Sequence, residues 1–349
     1  MRHWNRTPRI SLALAILALV AGARTLVATG PAPLERLQAR IARAAAGARG
    51  SVGVAIKHLE SGVELYLNGD EPFPMASTFK LPVLVELYAK AKDGKLSWDE
   101  TIDIGPLDQH LGSGELAPLY DPPGINLSLH NVANLMMLIS DNSAADICLA
   151  KAGVADVNAR LASLGVKGIR VDRSCQELIL DYGGRDTAKL KNLTLKEIQE
   201  ATPRTGPLTD EARWAQDDRF AADPRDQATP RAFVTLLEKI WRGEVVDRAS
   251  SDAILETMKR CTTGAQRIKG LLPRDTVVAH KTGSMGGVFD DVGIVYLPDD
   301  AGHVAIAVLT KSARAASADA EKAIAEIARF AFDYFLFTAQ APTTDSSAR

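Results

Sequence analysis

Residues 74–87 read Pro74-Met75-Ala76-Ser77-Thr78-Phe79-Lys80-Leu81-Pro82-Val83-Leu84-Val85-Glu86-Leu87. The stretch reads as the start of a buried helix, and Pro82 lies near enough to its first turn that the missing N–H costs little. Ser77 and Lys80 stand three apart and so share one helical face. A serine hydroxyl is a poor nucleophile near neutral pH and needs a neighbouring base. A lysine whose pKa is lowered by burial or by nearby cations can take its proton. Taken alone the pair means little, since a Ser-X-X-Lys recurs by accident about once in a chain of this length and mostly marks a solvated turn. Here the apolar sequence on both sides of Lys80 argues against a solvated position.

Two more motifs follow in order. Ser140-Asp141-Asn142 begins where an amphipathic helix ends, its apolar face formed by Val132, Leu135, Met136 and Ile139. As a bare tripeptide it would be a helix cap or turn. Lys281-Thr282-Gly283 lies on a strand read over Thr276–Ser284, where Gly283 would let a substrate backbone approach closely. Each tripeptide has a chance of roughly one in twenty of arising in such a chain, and all three in order far less. Together they supply a nucleophile, a lysine, a hydroxyl beside an amide, and a cation beside a hydroxyl, which is what acylation of a serine requires.

The set resembles the active-site serine penicillin-recognising enzymes, and most closely the class A β-lactamases. The likeness runs from about Val52 to Phe337, except for one stretch after Asp181. It implies an α/β fold in which an antiparallel β-sheet flanked by helices is joined to a second, all-helical lobe, with the site in the cleft between them. It also implies a serine β-lactamase that hydrolyses the β-lactam amide through an acyl-enzyme on Ser77, with no cofactor and no metal. By resemblance, Ser140 passes a proton to the leaving nitrogen, and Asn142 bonds the substrate side-chain amide and Lys80. Lys281 and Thr282 then hold the substrate carboxylate, and the N–H groups of Ser77 and Ser284 form the oxyanion hole. Arg267, fourteen residues before Lys281, is a candidate second contact for that carboxylate, the alternative being a surface salt bridge. A D-Ala-D-Ala peptidase and a non-hydrolysing penicillin-binding protein share the motifs and remain open. Some class A relatives clamp the site with a disulfide, but the corresponding positions here are Ala76 and Met285.

Hydrolysis of the acyl-enzyme also needs a base to activate water, and class A enzymes take it from a Glu-X-X-Leu-Asn segment. The matching region reads Arg173-Ser174-Cys175-Gln176-Glu177-Leu178-Ile179-Leu180-Asp181. One register makes Glu177 the base and replaces the asparagine by Asp181, a second carboxylate that would raise one of the two pKa values. The other register, counted from Arg173, puts Cys175 at that position. Glu177 is the expected base.

At the ends of the chain, Val52, Val54 and Ile56 alternate and a turn leads into Val63–Leu67, which reads as a hairpin. Strands read over Asp291–Leu297 and Val304–Lys311 and a helix over Ala315–Phe337 close the chain. Strands at both ends with helices between suggest one sheet joining the two ends. The expected division is a sheet lobe over 30–90 plus 250–338, a helical lobe over 91–249 with an insertion at 182–224, and a disordered tail over 339–349. Within the insertion, Thr194-Leu195-Lys196-Glu197 is a capping box, and a second helix is expected after Thr209.

The first residues carry Arg2, Arg6 and Arg9, an apolar run from Ile10 to Ala21, and Ala21-Gly22-Ala23, the pattern of a cleaved signal peptide over 1–23. The run is short for a membrane span. A periplasmic or secreted monomer without stable membrane insertion is expected. Losing the three arginines of that segment takes the formal charge from −2 to −5, so nucleic acid is not an expected partner; a β-lactam is. Three cysteines, Cys148, Cys175 and Cys261, allow one bridge without saying which. No Gly-X-Ser-X-Gly, no His-Glu-X-X-His and no clustering of the six histidines supports another hydrolase design. Gly112-Ser113-Gly114 imitates a dinucleotide loop, but no strand feeds it, and it reads as a loop near the cleft.

Overall fold

Five strands form the main sheet of the computed structural model: β1 (Ser51–His58), β2 (Glu64–Leu67), β3 (Val278–Met285), β4 (Val288–Tyr296) and β5 (His303–Lys311). The structure describes Met1, residues 32–203 and residues 206–339. Apart from Met1, the expected signal segment 1–23 lies outside the described residues, as do 340–349 of the expected tail; Ala339 closes the last helix.

The strand order is β2-β1-β5-β4-β3, every pair antiparallel. Val54 lies between Leu67 and Val308, so the two ends of the chain meet in one sheet. Successive residues of a strand face opposite sides, yet every residue from Val304 to Thr310 is buried. Both faces are therefore covered. On one, a Cβ added at Gly53 would meet Phe73 at 2.4 Å and Pro230 at 2.7 Å, the first residue of the helix Pro230–Arg242. On the other, the His58 ring stacks at 5.1 Å on Phe335 of the closing helix Ser317–Ala339.

The helices between the strands share the sheet's core. One apolar cluster includes Ala55 of β1, Leu84, Met136, Cys148, Phe233 and Leu309 of β5. Helix α1 (Pro33–Ala45) starts the described chain. Helix α2 (Lys80–Lys92) is buried around most of its circumference, with Leu81 to Leu87 all hidden; this explains a sequence with little amphipathic period. Its one buried carboxylate, Glu86, is held by Arg160 at 3.0 Å. Helices α3 (Leu129–Leu138) and α4 (Asn142–Ala152) flank the Ser140 turn, and α5 (Cys175–Tyr182) carries the segment whose register was open.

The insertion is helical where its caps predict. Thr194 and Glu197 form the capping box of Leu195–Ala201, and Thr209 caps α6 (Asp210–Ala222). Phe220 of α6 joins Ala76, Leu178 and Val288 in a small apolar cluster, and Tyr182 donates to Asp217 at 2.8 Å. The insertion therefore rests against the residue preceding Ser77. All three cysteines are free and buried. Among the described residues no helix is long and apolar enough to cross a membrane.

Candidate active site

Ser77 lies in a single 3-10 turn, Ala76–Phe79, that feeds α2. The turn is strained at Ala76, with φ at +40°, and the Ser140 turn is strained likewise, with φ at +60°. Such angles cost a residue with a Cβ roughly 1–3 kcal/mol and persist where the surroundings over-determine them. Gly283 of β3 does part of that work. A Cβ there would lie 2.6 Å from the Met75 carbonyl oxygen and 3.2 Å from the Ser77 nitrogen. The close approach anticipated from the sequence for a substrate is thus already used by the chain's own backbone.

Lys80 is fully buried. Its Nζ donates to the Ser140 carbonyl at 2.7 Å and to Asn142 Oδ1 at 2.8 Å, and lies 3.1 Å from Ser140 Oγ. From the other side Lys281 Nζ reaches the same Oγ at 3.0 Å and the Thr282 carbonyl at 2.8 Å. One hydroxyl therefore bridges two buried amines. Burial disfavours the charged form of each: the Lys80 pKa is lowered, and that of Lys281 falls to about 7, by burial first and then by the charge of Lys80. Asp141 serves the backbone, accepting from the N–H groups of Glu115 at 2.6 Å, Leu116 at 2.9 Å and Ala144 at 2.8 Å.

Beside these buried groups lies a cavity of about 390 Å³ whose lining includes Ser77, Ser140, Asn142, Thr282, Ser284 and Arg267. Arg267 is buried and is no surface salt bridge. Its Nη1 donates to the carbonyls of Gly283 at 2.7 Å and Asp290 at 2.8 Å, its Nη2 to Ser284 Oγ at 2.6 Å, and its Nε pairs with Glu321 at 3.1 Å. Two lining hydroxyls stand outside the expected site residues. Ser113 Oγ donates to the Ser140 carbonyl at 3.0 Å, and Thr263 Oγ1 sits 2.5 Å from Thr282 Oγ1. Gly112 and Gly114, already read as part of a loop near the cleft, were the signal for the first. A Cβ at Gly112 would strike Asn142 and one at Gly114 would strike Asp141, each at 2.4 Å.

Glu177 is not brought to the cleft. Ser174 Oγ accepts from the Glu177 N–H and Glu177 Oε2 from the Ser174 N–H, both at 3.1 Å, while Oε1 pairs with Lys191 at 3.0 Å. Ser174-Cys175-Gln176-Glu177 is a capping box, so the carboxylate turns back onto the helix start. Cys175, Leu178 and Ile179 line the cavity instead. Asp181 pairs instead with Arg173 at 2.9 Å and Arg225 at 3.1 Å, two guanidiniums it shares with Asp223. Burial pushes its pKa up, but the Thr187 hydroxyl and the Arg173 and Arg225 guanidiniums outweigh this and leave it lowered.

A family model described as the beta-lactamase enzyme family matches residues 36–335. The chain belongs to this family. Beta-lactamase VEB-1 of Pseudomonas aeruginosa is 28% identical over 295 residues, covering 82% of this chain and 85% of its own. A β-lactamase structure from Chitinophaga pinensis superposes with a TM-score of 0.66 at 30% identity, covering 85% of this chain and 98% of that one. A variant of the last common ancestor of Gram-negative class A β-lactamases gives 0.68 at 25% identity, over 87% and 99%. The fold is that of the class A β-lactamases, with the three motifs meeting in one β-lactamase cleft.

Proposed function

We propose that the protein is a serine β-lactamase that opens the β-lactam amide through an acyl-enzyme on Ser77. The observation that carries this is the unbroken line from Lys80 through Ser140 Oγ to Lys281, with Ser140 and Ser77 lining one cavity. In its neutral form Lys80 has two N–H donors, which suit the Ser140 carbonyl and Asn142, and a lone pair able to accept the Ser77 proton. As Ser77 Oγ bonds to the lactam carbon, that proton passes through Lys80 to the Ser140 hydroxyl, which hands one to the leaving nitrogen as the C–N bond breaks. The N–H groups of Ser77 and Ser284 serve the developing oxyanion. Support comes from the tight packing of β3 on the Ser77 backbone.

The substrate carboxylate is received by Lys281, Thr282, Ser284 and Arg267, and Asn142 takes the side-chain amide. The Arg2–Ala23 pattern supports export, with a monomer acting in the periplasm or outside the cell. Incubation with a chromogenic cephalosporin tests the reading: colour and a covalent mass adduct are expected, and both must vanish in Ser77→Ala. An adduct that survives in Ser77→Ala would refute it.

A further inference from the structure

Release of an ester from Ser77 needs a water and a group within hydrogen-bond reach to take its proton, a contribution of about 10²–10⁴ in rate. Helix α5 gives the cavity Cys175, Leu178 and Ile179. The latter two are hydrocarbon, and burial pushes the Cys175 thiol up, away from thiolate.

The nearby carboxylates are committed elsewhere. Asp146 accepts from the N–H groups of Cys175 at 2.6 Å and Gln176 at 3.0 Å, and pairs with His110 Nδ1 at 2.5 Å. Asp141 holds three backbone amides, and Glu177 closes its capping box on the far side. Two buried amines stand behind the cavity wall and reach it through Ser140 Oγ, Lys80 at 3.1 Å and Lys281 at 3.0 Å; with Lys281 given to the substrate carboxylate, Lys80 is left.

On the reading of Ser77 as the acylated nucleophile, we infer that the acyl-enzyme of this protein is long-lived and that Lys80, with no carboxylate to help it, is the proton acceptor for its hydrolysis. In that step the water oxygen bonds to the acyl carbon and the bond to Ser77 Oγ breaks. The water proton goes to Lys80 and returns to Ser77 Oγ, so atoms and charge balance. Release then requires the uncharged amine and quickens as pH rises. The titratable and charged groups facing Lys80 are Lys281 on β3, Asp141 at the Ser140 turn, Asp146 and Cys148 on α4, and Cys175 on α5.

The test is stopped-flow mixing of the full chain with a chromogenic cephalosporin, with intact-mass measurement at intervals. The expected result is a burst of one product per active site, then a phase at least about 100-fold slower, with an adduct that decays at the rate of that phase. The slow phase should rise with pH. Glu177→Gln should leave both phases in place, and Cys175→Glu, which adds a carboxylate to the wall, should speed the slow phase at least about tenfold. Linear turnover without a burst, or a slow phase abolished in Glu177→Gln, would overturn the inference while leaving acylation intact. Neither adduct nor colour would instead overturn the acylation reading on which it rests. Should Cys175→Glu fail to fold, the wild-type burst and adduct lifetime still decide.

Discussion

Gly283→Ala adds one methyl group where β3 crosses the nucleophile's turn. Its Cβ would stand 2.6 Å from the Met75 oxygen and 3.3 Å from the Ala76 Cβ. Ordinary contact begins near 3.4 Å, so strand and turn must part by about 0.8 Å if the neighbours stay otherwise in place. The strand has little freedom to give way, since Gly283 pairs with Asp290 of β4 and its carbonyl holds Arg267. Overpacking of this kind costs about 1–3 kcal/mol, or a few degrees of melting temperature for a chain this large. Activity should suffer far more. A displacement near 1 Å at reacting groups costs about 10²-fold, and here it moves Ser77 relative to the Ser284 N–H. Single-turnover acylation followed by mass spectrometry should fall by roughly 10- to 100-fold, with the melting point only slightly lowered. Acylation within about twofold of wild type would refute the role given to this packing.

Three further outcomes follow from the buried polar groups. Lys281, with its pKa lowered to about 7, loses its charge as pH rises through that value, so KM for a carboxylated β-lactam should climb severalfold between about pH 6 and 8; Lys281→Arg should flatten the steady-state KM profile. Asp141→Ala strands three backbone donors and should cost about 3–5 kcal/mol in denaturant unfolding, whereas a loss below about 1 kcal/mol would deny Asp141 its structural task. Behind Lys281, His280 is raised to about 9, because Asp291 at 2.8 Å outweighs burial, and Cys261 is lowered to about 7, because His280 outweighs burial. The raised histidine stabilises below its unfolded value near 6.5 and loses this as pH climbs through 9. The lowered thiol stabilises above its unfolded value near 9 and loses this as pH falls through 7. The two trends oppose each other, so thermal melts should change little across that window in the wild type and decline with rising pH in Cys261→Ala.

The sheet was legible because hydrophobic alternation and turn residues are local signals, and the insertion helices because Thr194 and Thr209 are local caps. β4 begins at Val288, ahead of the Asp291 read from the sequence, since pairing with β3 extends it beyond its apolar run. Ser77, Lys80, Ser140 and Lys281 were legible because their chemistry is unusual in combination. Ser113 and Thr263 were less so: the glycines on either side of Ser113 place its loop near the cleft without giving its hydroxyl a partner, and Thr263, between Thr262 and Gly264, carries no signal until the fold brings it to Thr282. Glu177 shows the opposite failure. Its spacing from Asn142 points to the cleft, while the local signal, Ser174 three residues earlier, closes a capping box on it.

This cap bears on what the cleft can do. A capping box fixes both the start of α5 and its rotation: with Glu177 turned back onto Ser174, residues 175, 178 and 179 are the ones that reach the cavity at helical spacing. The identity of the wall is thus set by a two-residue cap outside the cleft. Opposite it, the strained Ala76 and Ser140 turns are held by buried contacts, Gly283 against Met75 and Asp141 on three amides. The acylating half of the site is therefore over-determined by packing and hydrogen bonds. The water side is built from a thiol and two hydrocarbon side chains, so on the proposed mechanism any acceleration of release falls to Lys80.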